Sequence, residues 1–286
     1  RTWAAADWNK RQVLNHKVRG DYTEKFKAIE VNPEHRDEAV GEERMVQAWT
    51  GYEFQGRNNK YSDFKWHYYH FTGVEYDDVE RKTGIFRVLG ENKYWAQNVD
   101  SENGNYDFLL GNDIDLKHPE VIRELNKWGV WVANELNLDG IRMDAIKHMD
   151  AAFTNQFLAP IRSKRGDQYF AVGEYWKEDF NALQEFLDII GHSFSVFDVP
   201  LHYKFFQASH QGRAFDLTNL PDGTLVSQLP ENAVTFVDNH DSQHGSSLES
   251  QVKSWFKPLA YAMILLMEKG YPCIFYGDYY RMGDQE

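Results

Sequence analysis

The sequence holds a single cysteine, Cys273, so no intrachain disulfide can form. Basic residues are also few, because 31 Lys and Arg stand against 44 Asp and Glu and give a formal net charge of −13. This balance argues against a nucleic acid and against an anionic membrane surface as partners, since both select clustered Lys and Arg. The longest apolar run, 259–267, is far too short to cross a bilayer. Neutral polymers and cations therefore remain as partners.

Aromatic residues are abundant: 9 Trp, 16 Tyr and 19 Phe make up 15% of the 286 residues. Such a content is typical of a large aromatic core. It is equally typical of a sugar-binding cleft, because flat rings match the apolar faces of pyranoses and keep a polar edge for hydrogen bonds. Composition alone leaves both interpretations open.

The second half of the chain alternates short apolar runs with amphipathic segments, a rhythm that favours parallel βαβ units. Apolar residues at helical spacing predict a helix that begins at Pro119 and ends near Leu136. The same patterns predict helices over 149–162 and 179–190, a helix ending at Gly270, and strands over 138–143, 169–173, 194–199, 233–237 and 273–276. Residues 17–118 are instead rich in Gly, Asn, Asp and aromatics, which predicts an irregular or β-rich insertion.

With one more strand ending near Asn15, the predicted strands number roughly six, whereas a closed (β/α)8 barrel needs eight. We therefore predict the α/β class: a partial TIM (β/α)8 barrel with a β-rich insertion domain after the third strand. The barrel would comprise residues 1–16 and 119–286, and the insertion residues 17–118. The first two βα units and the last helix are expected to be missing. We accordingly expect these residues to be a segment of a longer protein, unstable or poorly active alone.

Asp144 and Glu174 follow predicted strands directly, and Asp241 lies four residues after the end of a third. The carboxyl ends of parallel barrel strands share one face, where active sites form. Glycoside hydrolysis needs one carboxylate to attack the anomeric carbon and another to protonate the leaving oxygen. The acids are flanked by Arg142, Trp176 and His240. Taken singly, these residues are also typical of a structural ion pair, a solvated strand end and a polar turn.

Taken together, the segments resemble the conserved regions of glycoside hydrolase family 13, in particular the liquefying or cytoplasmic type of bacterial α-amylase. The likeness runs from about residue 13 to residue 280. It is carried by GIRMDAIKH at 140–148, GEYW at 173–176, FVDNHD at 236–241, YSDFKWHYYHF at 61–71, GNYDFLLGNDID at 104–115 and FDVPLH at 197–202. The resemblance implies an endo-acting, retaining hydrolase of α-1,4-glucosidic bonds in starch, glycogen or maltodextrins, active as a monomer.

The resemblance also implies residue roles. Asp144 would be the nucleophile, Glu174 the general acid and then base, and Asp241 the group that orients the sugar and stabilises the transition state. Arg142 would keep Asp144 ionised. The remaining predicted substrate contacts are His16 and His240, to hydroxyls at the cleavage point, and Lys147, His148 and Trp176, towards the reducing end.

A calcium site is implied in the same way, with Asn15, Asp107, Asp113 and the backbone carbonyl of His148 as ligands. Oxygen donors of these kinds suit calcium, although Asp residues in an Asn/Gly-rich loop are also ordinary turn formers. Secreted relatives carry two further aspartates where this sequence has Thr72 and Ala96. We therefore expect one calcium ion and a cytoplasmic location, with secretion as the alternative.

Two other functions stay open at this point. A transglycosylase or branching enzyme would share the three carboxylates. A non-catalytic glucan-binding homologue is the other alternative, because Arg11 stands where the family's first strand carries an aspartate.

Overall fold

The structure is a computed structural model that describes residues 16–17 and 19–280. The chain divides into two compact units. The antiparallel unit contains the residues up to Leu138 together with Lys147–Tyr169, and the parallel unit contains Asp139–Ile146 together with the residues from Phe170 onwards.

The antiparallel unit is built on a sheet whose described strands run in the order β1-β6-β4-β5-β2-β3, with every pair antiparallel. Alternate side chains of β2, such as Phe26 and Ala28, are buried, as period-two strands require. The strands are β1 His16–Lys17, β2 Tyr22–Val31, β3 Arg44–Gly51, β4 Phe71–Asp77, β5 Lys82–Val88 and β6 Asn112–Ile114. Residues 17–118 are thus β-rich, while their standing as an insertion domain stays a prediction.

Two predicted helices are also found in this unit: α1, Pro119–Glu135, and α2, Ala151–Arg165. The His118 side chain accepts a hydrogen bond from the Glu120 backbone amide and caps α1, and Asp150 caps α2 in the same way. The helices contact each other at Gly129 of α1, where an added Cβ would lie 2.6 Å from the buried ring of Phe157. Glycine therefore permits the close approach of α1 to α2.

The parallel unit carries a sheet in the order β11-β10-β9-β8-β7, with all described neighbours parallel. Its elements are β7 Gly140–Met143, β8 Phe170–Gly173, α3 Phe180–Ile189, β9 Ser195–Phe197, α4 Val199–Gln211, α5 Leu225–Gln228, β10 Ala233–Phe236, α6 Lys257–Leu266, β11 Tyr271–Cys273 and α7 Tyr276–Tyr280. The α/β class and a partial, barrel-like parallel sheet are confirmed. Among the described residues this sheet does not close into a barrel.

The predicted position of the last strand was wrong. It lies at Tyr271–Cys273 rather than 273–276, and the helix before it ends at Leu266 rather than at Gly270. Gly270 has φ +78°, and a Cβ there would lie 2.9 Å from Val226, so it forms the turn that starts the strand early. The strand predicted near Asn15 lies outside the described residues.

The helix contact at Gly129 gives a stability prediction. Gly129→Val should destabilise the protein by about 2 kcal/mol, because a branched side chain would displace the buried ring of Phe157. Gly41→Val is the matched control, since nothing lies within 4 Å of an added Cβ there and its effect should stay within about 0.5 kcal/mol. Urea unfolding compares the two, and equal midpoints would contradict the proposed close contact.

Candidate active site

Two of the three predicted carboxylates lie side by side because their strands are neighbours. Asp144 follows β7 and Glu174 follows β8, and the last residues of these strands, Met143 and Gly173, are paired in register. The Glu174 amide donates to the Met143 carbonyl at 2.9 Å, and the Ile146 amide donates to the Glu174 carbonyl at 3.0 Å. Backbone hydrogen bonding therefore continues one residue beyond the strands and fixes the position of the Glu174 backbone.

Arg142 connects these two acids. Its Nη1 donates to Asp144 Oδ1 at 2.5 Å, and its Nη2 lies 3.2 Å from Glu174 Oε1. The two carboxylates differ sharply in exposure, since the Glu174 side chain is 7% exposed and that of Asp144 is 65% exposed. One guanidinium thus holds an accessible carboxylate beside a buried one.

Burial raises the pKa of Glu174 to about 7, against an ordinary value of 4.5. The positive charge of Arg142 lowers this pKa, while the charge of Asp144 and a hydrogen bond shared with it raise the pKa further. The Ala145 amide donates to Glu174 Oε2 at 3.1 Å and also lowers the pKa. Glu174 therefore titrates near neutral pH, while the Arg142 guanidinium contacts the exposed Asp144 carboxylate beside it.

Ala145 is a feature that the sequence analysis missed. Its φ is +52°, a left-handed conformation that a non-glycine residue rarely adopts and that costs roughly 1–2 kcal/mol. This conformation accompanies the hydrogen bond from its amide to Glu174 Oε2. An alanine carries no sequence signal for such a conformation.

The third carboxylate, Asp241, follows β10 in a loop of its own. Its amide donates to Asn239 Oδ1 at 2.9 Å, and its Oδ2 lies 3.1 Å from His240 Nε2. Strand β10 is separated from β8 by β9 alone, and the carboxyl ends of parallel strands share one edge of the sheet. All three acids thus follow strands whose carboxyl ends share that edge, with Arg142 joining Asp144 to Glu174 and separate contacts holding Asp241.

A buried charge network anchors the Asp241 loop. Asp238 accepts a hydrogen bond from the Ser242 hydroxyl at 3.0 Å and lies 2.9 Å from Lys257 Nζ. Lys257 is also paired with Asp278 at 2.5 Å. Burial raises the pKa of Asp238 to about 6, and the Lys257 charge lowers this pKa. Asp238 and Ser242, on either side of Asp241, are therefore joined to each other and anchored by the buried ion pair of Asp238 with Lys257.

Trp176 and His240 belong to the same unit as the acids. The Trp176 ring nitrogen donates to the Tyr203 hydroxyl at 3.1 Å, while the His240 side chain is largely exposed. The fully buried His202, which the sequence analysis did not single out, stacks on Phe236 with centroids 5.0 Å apart. Its Nδ1 donates to the Val237 carbonyl at 2.6 Å. The sequence signal for His202 was its position as the last residue of the segment FDVPLH, 197–202.

Three predicted substrate residues lie in the antiparallel unit. His16 is part of β1, where its backbone pairs with Asp113. Lys147 Nζ donates to Glu102 Oε2 at 2.7 Å. The buried His148 donates from Nδ1 to the Tyr106 carbonyl at 2.8 Å, and burial lowers its pKa to about 4. Their contacts with substrate stay predictions.

The antiparallel unit also buries Asp107 and Asp113, two of the predicted calcium ligands. Asp107 Oδ2 accepts from the Ala96 amide at 2.7 Å, and the Thr72 hydroxyl donates to Asp113. Within the described residues, Asp113 Oδ1 has no hydrogen-bond partner. Burial raises the pKa of both acids, and the charge of Asp107 raises that of Asp113 further. Two buried carboxylates with an unsatisfied oxygen fit a hard cation such as calcium.

The fourth predicted ligand, Asn15, lies outside the described residues. The described part of the chain also brings His70, His118 and Glu120 within metal-ligand distance of one another. The His67 amide donates to His70 Nδ1 at 3.0 Å, so the proton of neutral His70 lies on Nε2 and faces Glu120 Oε2 at 3.3 Å. This cluster is therefore a hydrogen-bonded helix anchor.

Comparison with known proteins gives a consistent result. The family model "Alpha amylase, catalytic domain" matches residues 45–286. Glucan 1,4-alpha-maltohexaosidase of Bacillus sp. strain 707 and α-amylase of Bacillus licheniformis are each 50% identical, covering 94% of this chain and 52% of their own length. The cytoplasmic α-amylase of Escherichia coli K12 is 38% identical, covering 94% of this chain and 54% of its own. The chain thus spans about half the length of these curated relatives.

The buried network around Asp238 generates a test. Lys257→Met should destabilise the protein by about 3–5 kcal/mol, because it leaves the Asp238 and Asp278 carboxylates buried without their cation. Lys253→Met, at an exposed lysine four residues earlier, is the control and should change little. Thermal unfolding at pH 7 measures both variants. Similar stabilities for the two would show that the network does not hold the loop.

Proposed function

This chain belongs to the α-amylase family, and we propose on that basis that it acts as an endo-acting α-amylase with a retaining, two-step mechanism. Its substrates would be α-1,4-linked glucans such as starch, glycogen or maltodextrins. The observation that carries the proposal is the pair Asp144 and Glu174, joined by Arg142, in which burial raises the pKa of one acid to about 7.

In the first step, the exposed Asp144 carboxylate attacks the anomeric carbon while Glu174 donates its proton to the departing glycosidic oxygen. The carbon–oxygen bond to the leaving sugar breaks, and an ester bond between the sugar and Asp144 forms. Arg142 favours the ionised nucleophile because its guanidinium contacts Asp144 Oδ1. The raised pKa of Glu174 suits the acid role near neutral pH.

In the second step, Glu174 accepts a proton from water, whose oxygen attacks the anomeric carbon and releases Asp144. The sugar leaves with its original anomeric configuration, and Glu174 is again protonated. We assign Asp241 to orienting the sugar and stabilising its positive charge in both transition states. His240 and Trp176 are assigned to substrate binding, and His16, Lys147 and His148 stay predicted contacts.

We further propose a calcium site formed by Asp107, Asp113 and the backbone carbonyl of His148, with Asn15 as the fourth predicted ligand. Bound calcium would neutralise the two buried carboxylates. The Thr72 hydroxyl contacts Asp113, and the Ala96 amide contacts Asp107. Neither residue adds a charged ligand, which supports a site for one calcium ion rather than several.

The wider organisation is likewise proposed. The domain bounds stay predictions: a barrel formed by residues 1–16 and 119–286, and an inserted domain at 17–118. Action as a monomer and a cytoplasmic location stay predictions too. One relative is named a cytoplasmic α-amylase. Among the described residues, no helix has both the length and the apolar character needed to span a bilayer.

Catalysis tests the function directly. Asp144→Asn and Glu174→Gln should each lower kcat on maltoheptaose by about 10⁴-fold, because each removes a group that takes part in bond cleavage. Asp222→Asn, at an exposed acid, is the control and should retain activity. The native rate should fall as pH rises above about 7, since Glu174 then loses its proton. Retention of configuration is measured by proton NMR of the first products.

Several outcomes would contradict the proposal. Unchanged rates in Asp144→Asn would exclude Asp144 as the nucleophile. New α-1,6 linkages without a matching release of reducing ends would favour a branching enzyme. Binding of maltoheptaose with no turnover by a full-length protein that contains this chain would favour a glucan-binding homologue.

The calcium proposal is tested by comparing the unfolding temperatures of the native protein and Asp113→Asn without and with calcium. In EDTA, Asp113→Asn should unfold at the same temperature as the native protein or higher, because it replaces one of two adjacent carboxyl groups whose ionisation burial disfavours with a neutral amide. In millimolar calcium, the native protein should gain several degrees in Tm while the variant gains little. Calcium that stabilises both proteins equally would place the ion elsewhere.

A further inference from the structure

A fully buried imidazole, that of His202, spans the base of the loop that carries Asp241. Its Nδ1 donates to the Val237 carbonyl at 2.6 Å, at the point where β10 has just ended. Its Nε2 lies 2.8 Å from the Ser250 hydroxyl, and the Ser250 amide donates to the Ser242 carbonyl at 3.0 Å. Val237 precedes Asp241 and Ser242 follows it, so one side chain is connected to both arms of the loop.

The two hydrogen bonds of His202 have a defined direction. The Val237 carbonyl can only accept, so Nδ1 carries a proton. Burial lowers the pKa of His202 to about 4, so at neutral pH the ring holds this one proton and its Nε2 accepts from the Ser250 hydroxyl. The same hydroxyl lies 2.8 Å from the Leu248 carbonyl, which is a second acceptor for its proton. Both ring nitrogens of His202 are thus hydrogen-bonded, and this fixes the orientation of the ring.

His202 is also held from its own helix. It lies near the start of α4, and the buried Asp198 caps that helix by accepting from the Leu201 amide at 3.0 Å. The Asp198 carboxylate also accepts from the amides of Leu225 and Val226, at 3.1 and 2.7 Å. The start of α4 is therefore tied to α5, and the His202 side chain extends from a rigid base.

The ring of His202 supports Trp176 as well. It stacks on Phe236 with the two planes 8° apart, and its centroid lies 5.5 Å from that of Trp176 with the planes tilted by 54°. Trp176 lies 6.0 Å from Phe236 and donates from its ring nitrogen to the Tyr203 hydroxyl at 3.1 Å. Three rings therefore contact one another, and His202 connects them by hydrogen bonds to the Asp241 loop.

We propose that His202 is a positioning residue, which fixes the Asp241 loop and the Trp176 ring relative to each other so that one sugar chain can meet both. Its hydrogen bond to the Val237 carbonyl serves the loop, and its ring face serves Trp176. The identity of the ligand rests on the proposed function, whereas the contacts of His202 do not. The two parts of the imidazole can be tested separately, because one substitution removes the hydrogen bonds and another removes the ring.

The two substitutions should have opposite kinetic effects in a full-length protein that contains this chain. His202→Phe keeps a flat ring but cannot donate to the Val237 carbonyl, so it should lower kcat on maltoheptaose roughly 10- to 100-fold with KM near the native value, because Asp241 is displaced. His202→Asn should instead raise KM roughly three- to tenfold with kcat near the native value. Its amide nitrogen can replace Nδ1 as the donor, whereas the ring beside Trp176 is lost.

His210→Phe is the matched control, because His210 is an exposed histidine of the same helix, and it should change neither kcat nor KM. Amide hydrogen exchange gives a second readout that needs no turnover. The amides of Ser250 and Val252 donate hydrogen bonds to the arm of the loop that follows β10. They should exchange roughly tenfold faster in His202→Phe than in the native protein, since the loop opens more often.

The possible results separate the two proposals. Native loop exchange in His202→Phe would overturn the positioning role, and so would faster exchange with a native kcat. Equal changes of kcat and KM in the two variants would also overturn it, because His202 would then only stabilise the fold. Should His202→Phe fail to fold, an unchanged KM in His202→Asn would overturn the role. If the native full-length protein released no reducing ends, the α-amylase proposal would fail, while faster loop exchange and weaker maltoheptaose binding in the variants would still support the positioning role.

Discussion

The contact of one guanidinium with two unequal carboxylates is the constraint on which the geometry of the candidate site and the proposed chemistry depend. Arg142 contacts the exposed Asp144 and the buried Glu174 at once. Arg142 lies closer to Asp144 than to Glu174, and burial raises the pKa of Glu174 to about 7. A retaining hydrolase needs this asymmetry, because one acid must arrive ionised and the other protonated.

The parallel sheet provides the geometry for that contact. Arg142 and Asp144 are two residues apart, so both project to the same side of β7, and the pairing of Met143 with Gly173 sets Glu174 beside them. Gly173 allows this approach, since a Cβ there would lie 2.3 Å from Ile146. The left-handed Ala145 then directs its amide at Glu174. The strained backbone of Ala145 thus lies directly beside the Glu174 carboxyl.

Strand-end logic predicted that Asp144, Glu174 and Asp241 follow strands of one parallel sheet, because the carboxyl ends of parallel strands share one edge, and their roles stay predictions. The sequence could not predict three features that depend on tertiary contacts: the positive φ of Ala145, the position of the last strand, and the buried ion pair of Asp238 with Lys257. Alanine gives no sign of a positive φ, and the shift of the last strand to Tyr271–Cys273 depends on a turn at Gly270 and on pairing with β10. The burial of Asp238 with Lys257 likewise joins two segments whose proximity no local pattern reveals.

The pKa of the Glu174 carboxyl is the most direct measure of this account, and carbon-13 NMR with labelled glutamate can follow it in the native protein and in Asp144→Asn. The contact network predicts a native pKa near 7. In Asp144→Asn it predicts a lower pKa, because the neighbouring negative charge is gone while Arg142 remains. A native pKa at or below the ordinary value of 4.5, or one that does not respond to Asp144→Asn, would contradict the account.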